Sequence, residues 1–282
     1  MQNSIKILKF RLAITTLTIT AVGLAGCGSS GDTSSNNPTT APNTTIPTQT
    51  SDLPNSECGK QLYQQTQPTL SAQLAQNTYP LCFDGFTLRY SGVSKTPIWV
   101  AEYLTRQRLT YAKQLVREDN FHEEPQLPEA VRSHLADYSG SGYDRGHLAP
   151  NADMSNKTSQ FDSFSLANIA PQYPDNNRHT WVKIETKTRD LTSQYGASYV
   201  VTGTAFLSSQ LKKINNNVLV PTHFFKAVYI PSTQQAVVFI SPNDGSDQIE
   251  TISLNELAKR TGVDAFPTLP YQVKSASMAV NF

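Results

Sequence analysis

Residues 27–56 of the 282-residue chain have a composition that does not support a folded core, and they separate a short N-terminal segment from the longer C-terminal part. Apart from its first residue, this segment is mainly Ser, Thr, Asn, Pro and Gln with almost no large apolar side chain. It therefore cannot bury enough surface to offset the entropy lost on ordering. We expect an extended, mobile tether there. The hydrophobic core must be built elsewhere, and the predicted domain covers residues 57–282, a length that suits one domain.

The first 26 residues resemble a secretory signal peptide. Three basic residues precede an apolar run, and small residues stand just before Cys27. The run is short and rich in Thr for a membrane-spanning helix. The pattern resembles the lipobox of bacterial lipoproteins, which implies export and lipidation of Cys27. The mature protein would then be anchored to the cell envelope, at the outer membrane or the cell surface, with release from the cell as a further outcome. The alternative is an ordinary cleavage site that a cysteine happens to follow.

Charge and cysteine content narrow the function classes. The whole chain carries a formal net charge of +1, but its leader holds three basic and no acidic residues, so 20 basic side chains face 22 acidic ones in the mature chain, about −2. A polyanion would therefore have to be bound by a local basic cluster.

With Cys27 assigned to the lipid, we expect Cys58 and Cys82 to form a disulfide in an oxidising compartment. Two distant cysteines without a nearby His do not make a zinc site.

The densest group of reactive side chains lies in residues 143–151, which read Tyr-Asp-Arg-Gly-His-Leu-Ala-Pro-Asn. His147 offers a general base that works near neutral pH. Arg145 offers a forked donor for phosphate or carboxylate, and Gly146 lets the backbone bend so that both side chains reach one ligand. Taken alone, the four residues 144–147 could also be a surface turn with solvated side chains.

A second polar group follows on a predicted helix. Residues 161–172 show a strand-like alternation, after which Asp175 can cap a helix. At about 100° per residue, the apolar face of this helix holds Trp181, Ile184, Thr188 and Leu191, while its flank holds Asn177, Glu185 and Arg189. Asn177 offers a neutral oxygen that suits a hard cation, and the helix N-terminus favours a phosphate. A simple ion pair between Glu185 and Arg189 is the alternative for the helix alone. His179 faces away from Asn177, and we expect it to be exposed.

The remaining pattern predicts a mixed α and β protein. Runs of β-branched and aromatic residues predict strands at 86–91, 98–103, 199–203, 218–230 and 236–240. Residues 106–116 read as a polar helix or loop. The spacing of Ser253 and Glu256 predicts a capping box for a helix that Gly262 closes.

These motifs together resemble those of a known family. The Asp-Arg-Gly-His motif at 144–147, the segment 168–172 and the spacing of the helix residues at 177, 181, 185 and 189 are similar to those of the DNA/RNA non-specific endonucleases, and the resemblance extends over about residues 81–270. It implies an α+β fold with a central antiparallel β-sheet flanked by helices. It also implies a ββα-metal (His-Me finger) active site.

The resemblance implies a catalytic set of His147, Arg145, Glu185 and Asn168. In it, His147 is the general base and Asn177 is the one direct protein ligand of a Mg²⁺ ion, with Mn²⁺ or another divalent metal as alternatives. Glu185 would hold metal-bound waters, and Asn168 would orient His147. The residues expected to clamp the substrate phosphate are Arg117, Arg145 and Arg189. Asp144 and Gln172 would support the site.

The implied substrates are DNA and RNA, cleaved with little sequence preference because phosphate contacts do not read bases. Motifs of zinc proteases, P-loop nucleotide hydrolases and serine hydrolases are missing from the sequence. The alternative function is an inactive or partner-dependent surface lipoprotein of the same fold that binds nucleic acid, for example in DNA uptake. The presence of both His147 and Asn177 argues against an inactive protein. The sequence leaves open the preference between DNA and RNA, the physiological metal, the oligomeric state and an inhibitor protein.

Overall fold

Thirteen strands are found in residues 56–282, the part of the chain that this computed structural model describes. The predicted leader, Cys27 and nearly all of the tether lie outside these residues. The strands are β1 (Thr69–Leu70), β2 (Thr78–Cys82), β3 (Thr87–Ser91), β4 (Thr96–Thr105), β5 (Asp144–His147), β6 (Ile169–Gln172), β7 (Ala197–Ala205), β8 (Lys213–Ile214), β9 (Val218–Leu219), β10 (His223–Ile230), β11 (Gln235–Pro242), β12 (Glu250–Ile252) and β13 (Val263–Asp264).

Six α-helices and several shorter turns accompany the strands in the same residues. The helices are α1 (Arg106–Ala112), α2 (Leu135–Tyr138), α3 (Lys157–Ser163), α4 (Trp181–Tyr195), α5 (Leu254–Thr261) and α6 (Tyr271–Ser275). Short 3-10 turns lie at Ser56–Gln61, Tyr63–Gln65, Glu129–Val131, Asn151–Asp153 and Leu166–Asn168, and a π-helical turn lies at Asn176–Thr180. None of the helices in this part of the chain has the length and apolar character needed to cross a bilayer.

Seven strands form the central sheet, in the order β12-β11-β10-β7-β4-β3-β2, and every neighbouring pair is antiparallel. Successive side chains in a strand point to opposite faces. Accordingly, Val200 and Phe224 pack in one apolar cluster, while their neighbours Val201 and Phe225 pack in another. Both faces are therefore buried, which explains why these strands are nearly continuous apolar runs.

Helices cover both faces of the sheet. Trp181, Ile184 and Leu191 of α4 belong to the first cluster, and Leu254 and Leu257 of α5 belong to the second. The buried face of α4 is the one that the 3.6-residue period predicts. The central antiparallel sheet with flanking helices confirms the predicted α+β class.

A small two-stranded ladder stands beside the central sheet and leads into α4. In it, Asp144 lies opposite Gln172 and His147 lies opposite Ile169. Because the π-helical turn and α4 follow β6 almost directly, the ladder and the start of the helix form a ββα unit. This unit brings residues 144–147 close to the first turns of the helix.

The structure corrects the predicted strand at 161–172. Its first part belongs to α3, because the Asn156 side chain accepts a hydrogen bond from the Ser159 N–H and caps a helix there, and β6 begins only at Ile169. The periodic Phe and Leu residues that suggested a strand come instead from the end of α3 and the following turn. An alternation of apolar and polar residues over so few positions does not distinguish a strand from the end of a helix.

Two further predictions about element ends are wrong, and one is confirmed. The predicted strand at 218–230 is two strands, with Pro221 between them, because proline has no N–H to donate to a ladder. Asp175 has a helical backbone and makes no capping hydrogen bond, so the chain enters α4 through the π-helical turn instead. For α5, the Ser253 side chain accepts a hydrogen bond from the Glu256 N–H, and Gly262 ends the helix in a left-handed conformation. Both ends of α5 are therefore as predicted.

A disulfide joins Cys58 to Cys82, which are 24 residues apart. It ties the first turn of the described residues to β2 at the edge of the sheet. Since a cross-link mainly restricts the unfolded chain, we expect the double variant Cys58→Ser/Cys82→Ser to lower the free energy of unfolding by about 2–4 kcal/mol. Urea denaturation measures this change, and wild-type protein unfolded with dithiothreitol should match the variant. Equal midpoints with and without the disulfide would contradict this expectation.

Candidate active site

One surface cavity of about 360 Å³ collects most of the predicted site residues. It lies over the ββα unit, and the segment after α1 supplies one wall. The predicted residues that line it are Arg117, Arg145, His147, Asn177 and Glu185. Residues from three separate stretches of the chain therefore meet at one place, which a solvated surface turn does not require.

His147 sits between two aromatic rings at the edge of this cavity. Its ring centroid is 5.4 Å from that of Phe121 and 5.0 Å from that of Phe164. The Nε2 atom is enclosed and has no hydrogen-bond partner within residues 56–282. Burial lowers the pKa of His147 to about 3, assisted by the positive charge of Arg117 and opposed by Asp119. The imidazole is therefore neutral near pH 7 and able to accept a proton.

The orientation of Asn177 is fixed by the carboxylate of Asp144. The Asn177 Nδ2 atom donates to Asp144 Oδ2 at 2.9 Å. An ionised carboxylate only accepts hydrogen bonds, so the amide nitrogen must face it, and the Oδ1 atom of Asn177 is directed away from it. An amide oxygen that lines the cavity suits a hard divalent cation such as Mg²⁺.

Arg178 holds the same carboxylate from the other side. Its Nε and Nη2 atoms donate to the two oxygens of Asp144 at 2.8 and 2.7 Å. Burial raises the pKa of Asp144, but the hydrogen bonds from Arg178 and Asn177 outweigh it and lower the pKa below its usual value. Asp144 is therefore ionised at neutral pH, and its hydrogen bond fixes the amide of Asn177.

Glu185 lines the cavity and belongs to a group of buried charges. Burial raises the pKa of Glu185 to about 7, while the positive charges of Lys226 and Arg189 oppose that rise. The pKa of this carboxyl therefore lies near neutral pH when no cation is bound. A divalent cation nearby would stabilise its ionised form.

Arg189 does not line this cavity, although we predicted a phosphate contact for it. Its Nη1 atom lies 3.2 Å from Asp153 Oδ1 and 4.0 Å from Glu185 Oε2. Its side chain lines a neighbouring cavity instead. The geometry therefore assigns Arg189 to holding Glu185, because its guanidinium is already paired with two carboxylates.

Asn168 also differs from the prediction, because it contacts the loop after His147 and not the imidazole. Its Oδ1 accepts from the Ala149 N–H at 2.9 Å, and its Nδ2 donates to the carbonyls of Ala149 and Ser163, each at 2.8 Å. Asn168 thus fixes the backbone that leaves β5. Gln172 plays a similar supporting part, because its Nε2 donates to Asn176 Oδ1 at 2.6 Å.

The sequence reasoning missed three charged residues, Arg178, Asp153 and Lys226. Lys226 is only 1% exposed in β10, and its Nζ donates to Thr202 Oγ1 at 2.6 Å and lies 3.4 Å from the Leu148 carbonyl oxygen. A single lysine inside an apolar strand is a signal that could have revealed it, since a buried ammonium requires partners. Arg178 and Asp153 carry no such signal, because their acidic and basic partners are distant in the sequence.

Gly146 is required by close packing inside the ladder. A Cβ atom built at this position would lie 2.1 Å from Gln172 Oε1 and 2.6 Å from its Cβ. We expect Gly146→Ala to lower the free energy of unfolding by about 1–3 kcal/mol, because an added methyl group must displace a buried side chain. Thermal or urea unfolding measures the effect, with the exposed Gly245→Ala as the matched control. Equal stability of the two variants would contradict this packing argument.

Comparison with known proteins agrees with this arrangement. The model of the family described as "DNA/RNA non-specific endonuclease" matches residues 65–272. Nuclease C1 of Cunninghamella echinulata var. echinulata is 32% identical over 206 residues, covering 66% of this chain and 82% of that protein. A nuclease of Nostoc sp. is 34% identical over 209 residues, covering 68% and 74%. A solved structure described as the EndoG/EndoGI complex aligns with a TM-score of 0.65 and 25% identity, covering 70% and 89%. The chain therefore belongs to the DNA/RNA non-specific endonuclease family and is a hydrolase that acts on nucleic acids.

Proposed function

We propose that the protein is a Mg²⁺-dependent endonuclease that hydrolyses phosphodiester bonds of DNA and RNA with little sequence preference. The observation that carries the proposal is the meeting of His147, Asn177 and Arg145 in one cavity. These side chains supply a base, a cation ligand and a phosphate donor, which are the parts that hydrolysis of a phosphodiester needs.

His147 acts as the general base in this proposal. Because its Nε2 is enclosed, we assign proton transfer to Nδ1, the ring nitrogen that is not enclosed. The imidazole is neutral at pH 7, and the negative charge of a bound phosphate would raise its lowered pKa and strengthen it as a base toward the attacking water. Phe121 and Phe164 hold the plane of the ring by contact on two sides.

The residues present fit a lightly held divalent cation. Asn177 Oδ1 would bind it directly, and Glu185 would accept hydrogen bonds from its waters, since Mg²⁺ sheds water reluctantly. When bound, the cation stabilises negative charge on the phosphate and the leaving oxygen. Mn²⁺ or another divalent metal would fit the same oxygen ligands.

Arginine side chains at the cavity would hold the phosphate. Arg145 and Arg117 both line it, and Arg178 joins them from the π-helical turn. Arg178 is paired with Asp144 and Arg117 with Asp119, whereas Arg145 makes no ion pair within residues 56–282, so Arg145 is the better donor and Arg117 the second one. A forked guanidinium matches two phosphate oxygens at once. None of these contacts reads a base, which supports broad cleavage of DNA and RNA.

Digestion of supercoiled plasmid and of single-stranded RNA by the purified protein tests the proposal. We expect both substrates to be cut with Mg²⁺ and neither with a chelator, and readdition of Mg²⁺ or Mn²⁺ should restore cleavage. Substrate affinity should fall as salt rises, because phosphate contacts release counterions. A folded protein that cleaves neither substrate with any divalent metal, but still binds DNA, would instead support the alternative of a binding or uptake protein.

We also propose that the enzyme is exported and attached to the cell envelope through a lipid on Cys27. The leader, the small residues before Cys27 and the tether composition support this location. Labelling of cells with a radioactive fatty acid tests it, with Cys27→Ala as the matched control. We expect the label in the membrane fraction and its loss in the variant.

A protein inhibitor is a further partner class that we propose for this fold. The solved EndoG/EndoGI complex, to which the chain is similar, is described as showing a mechanism of EndoG inhibition. The likeness covers 70% of this chain and supports an inhibitor protein as a partner class.

A further inference from the structure

A second cavity, of about 400 Å³, lies directly beside the active site. Its wall combines four aromatic or aliphatic side chains with the polar side chains of Ser139, Asp144, Arg145 and Asn177. The nonpolar residues are Phe121, Leu135, Tyr138 and Tyr143. The volume lies within the range of small-ligand pockets. Nothing in the proposed hydrolysis uses these four side chains to contact the substrate.

Two residues are shared between this cavity and the active site. Arg145 and Asn177 line both. The Arg145 guanidinium lies over the Phe121 ring, 4.1 Å from its centroid, and the same ring lies 5.4 Å from the His147 ring. Phe121 and Arg145 thus form the boundary between the two cavities. A phosphate on Arg145 would have the catalytic base on one side and the aromatic cavity on the other.

The exposure of the wall residues is unusual for a purely structural cluster. Leu135 is 40% exposed, and Phe121 and Tyr143 are half-buried. Tyr138 is almost fully buried and supports the wall from the core. Apart from Arg145 and Asp144, no charged side chain lines the cavity, and Asp144 is already paired with Arg178. The surface that remains suits a flat, uncharged group joined to a phosphate.

We propose that this cavity binds the nucleobase of the nucleotide adjacent to the phosphate held by Arg145. The inference rests on the proposed function and adds a base-binding subsite to it. Bases stack on aromatic rings without regard to sequence, because every base has a π face. The subsite would therefore hold the strand in register for hydrolysis without creating sequence specificity, and it would favour unstacked bases over those in a duplex.

Binding of nucleoside bisphosphates tests the subsite without requiring cleavage. Isothermal titration at low salt would compare thymidine 3′,5′-bisphosphate with the abasic deoxyribose 3′,5′-bisphosphate. We expect the base to lower Kd on the order of 10-fold, within the range for stacking on an aromatic side chain. Tyr143→Ala and Leu135→Ala should each reduce this difference while leaving the affinity for the abasic compound unchanged. The matched control is Tyr111→Ala, an exposed tyrosine of α1 that lines neither cavity.

Two results would overturn the proposal. One is equal affinity of the wild-type protein for the two bisphosphates, or no binding of either. The other is a base-dependent difference that survives in both the Tyr143 and Leu135 variants. Plasmid digestion measured on the same preparations separates this proposal from the nuclease itself. Cleavage with base-independent binding removes only the subsite, and base-dependent binding without cleavage removes only the proposed hydrolysis.

Discussion

Replacement of His147 by Ala is expected to lower kcat for DNA and RNA hydrolysis by about 10²–10⁴-fold, the usual contribution of a positioned general base. His147 is the histidine that lines the active-site cavity, and Phe121 and Phe164 hold its ring in place. Its pKa lies below the ordinary value, so the imidazole is already in the form that accepts a proton. KM should change little, because the phosphate contacts from the arginines are kept. Initial rates on a labelled oligonucleotide at saturating Mg²⁺ measure the effect.

The matched control is His179→Ala. His179 lies two residues after Asn177 in the same π-helical turn, but it is exposed and does not line the cavity. We expect wild-type rates from this variant. Circular dichroism and thermal unfolding would show whether His147→Ala keeps the fold, since removal of a packed ring leaves a small void. A folded His147→Ala variant with more than about a tenth of wild-type kcat would exclude His147 as the base.

The site residues whose proximity the sequence predicts well are close together in the chain. His147 and Arg145 are two residues apart, so any conformation keeps them near each other. Asn177 and Glu185 both line the cavity, but Asn177 lies in the π-helical turn before α4, so the period of α4 alone does not fix their relative directions. The antiparallel sheet was implied by the family resemblance, whereas the nearly continuous apolar runs of its strands indicate only that both faces of a sheet are covered.

The parts that the sequence does not predict depend on partners brought together by the tertiary fold. Arg189 has the chemistry of a phosphate ligand, but Asp153, from the turn after β5, occupies its guanidinium. The same holds for Asp144, whose partner Arg178 is 34 residues away. A charged residue has many potential partners in a sequence, and the tertiary fold selects among them, so residue type alone could not separate substrate ligands from internal ion pairs.

Local backbone preferences explain the other errors. The alternation at 161–172 is too short to distinguish a strand from a helix end. The hydrogen bond that caps the helix at Asn156 stabilises α3 over the first part of this segment. The π-helical turn at 176–180 has no simple sequence signal, yet it places Asn177 at the cavity. π-helical turns often occur at functional sites, where they redirect one side chain. Here the turn allows both Asn177 and Arg178 to reach Asp144.

Replacement of Asn177 by Ala is expected to lower kcat at millimolar Mg²⁺ by about 10²-fold or more, because charge stabilisation by a catalytic cation is worth several kcal/mol. Asn177 Oδ1 is the amide oxygen that the contact with Asp144 directs away from the carboxylate, and no other residue is expected to bind the ion directly. The Mg²⁺ dependence of the initial rate measures the effect. Asn255→Ala, on α5 across the central sheet, is the matched control and should keep the wild-type Mg²⁺ dependence.

Asp144→Asn separates positioning of the ligand from binding by the ligand. Without the carboxylate, the amide of Asn177 is no longer required to direct its Nδ2 toward residue 144, and Arg178 loses the negative charge and one of its two acceptor oxygens there. We expect the Mg²⁺ concentration for half-maximal rate to rise about 10–100-fold, as for other residues that orient a metal ligand, while kcat at saturating Mg²⁺ falls less than in Asn177→Ala. An unchanged Mg²⁺ dependence in both variants would show that the cation is held elsewhere. A change in Asn177→Ala alone would show that Asn177 binds the cation without needing Asp144 to orient it.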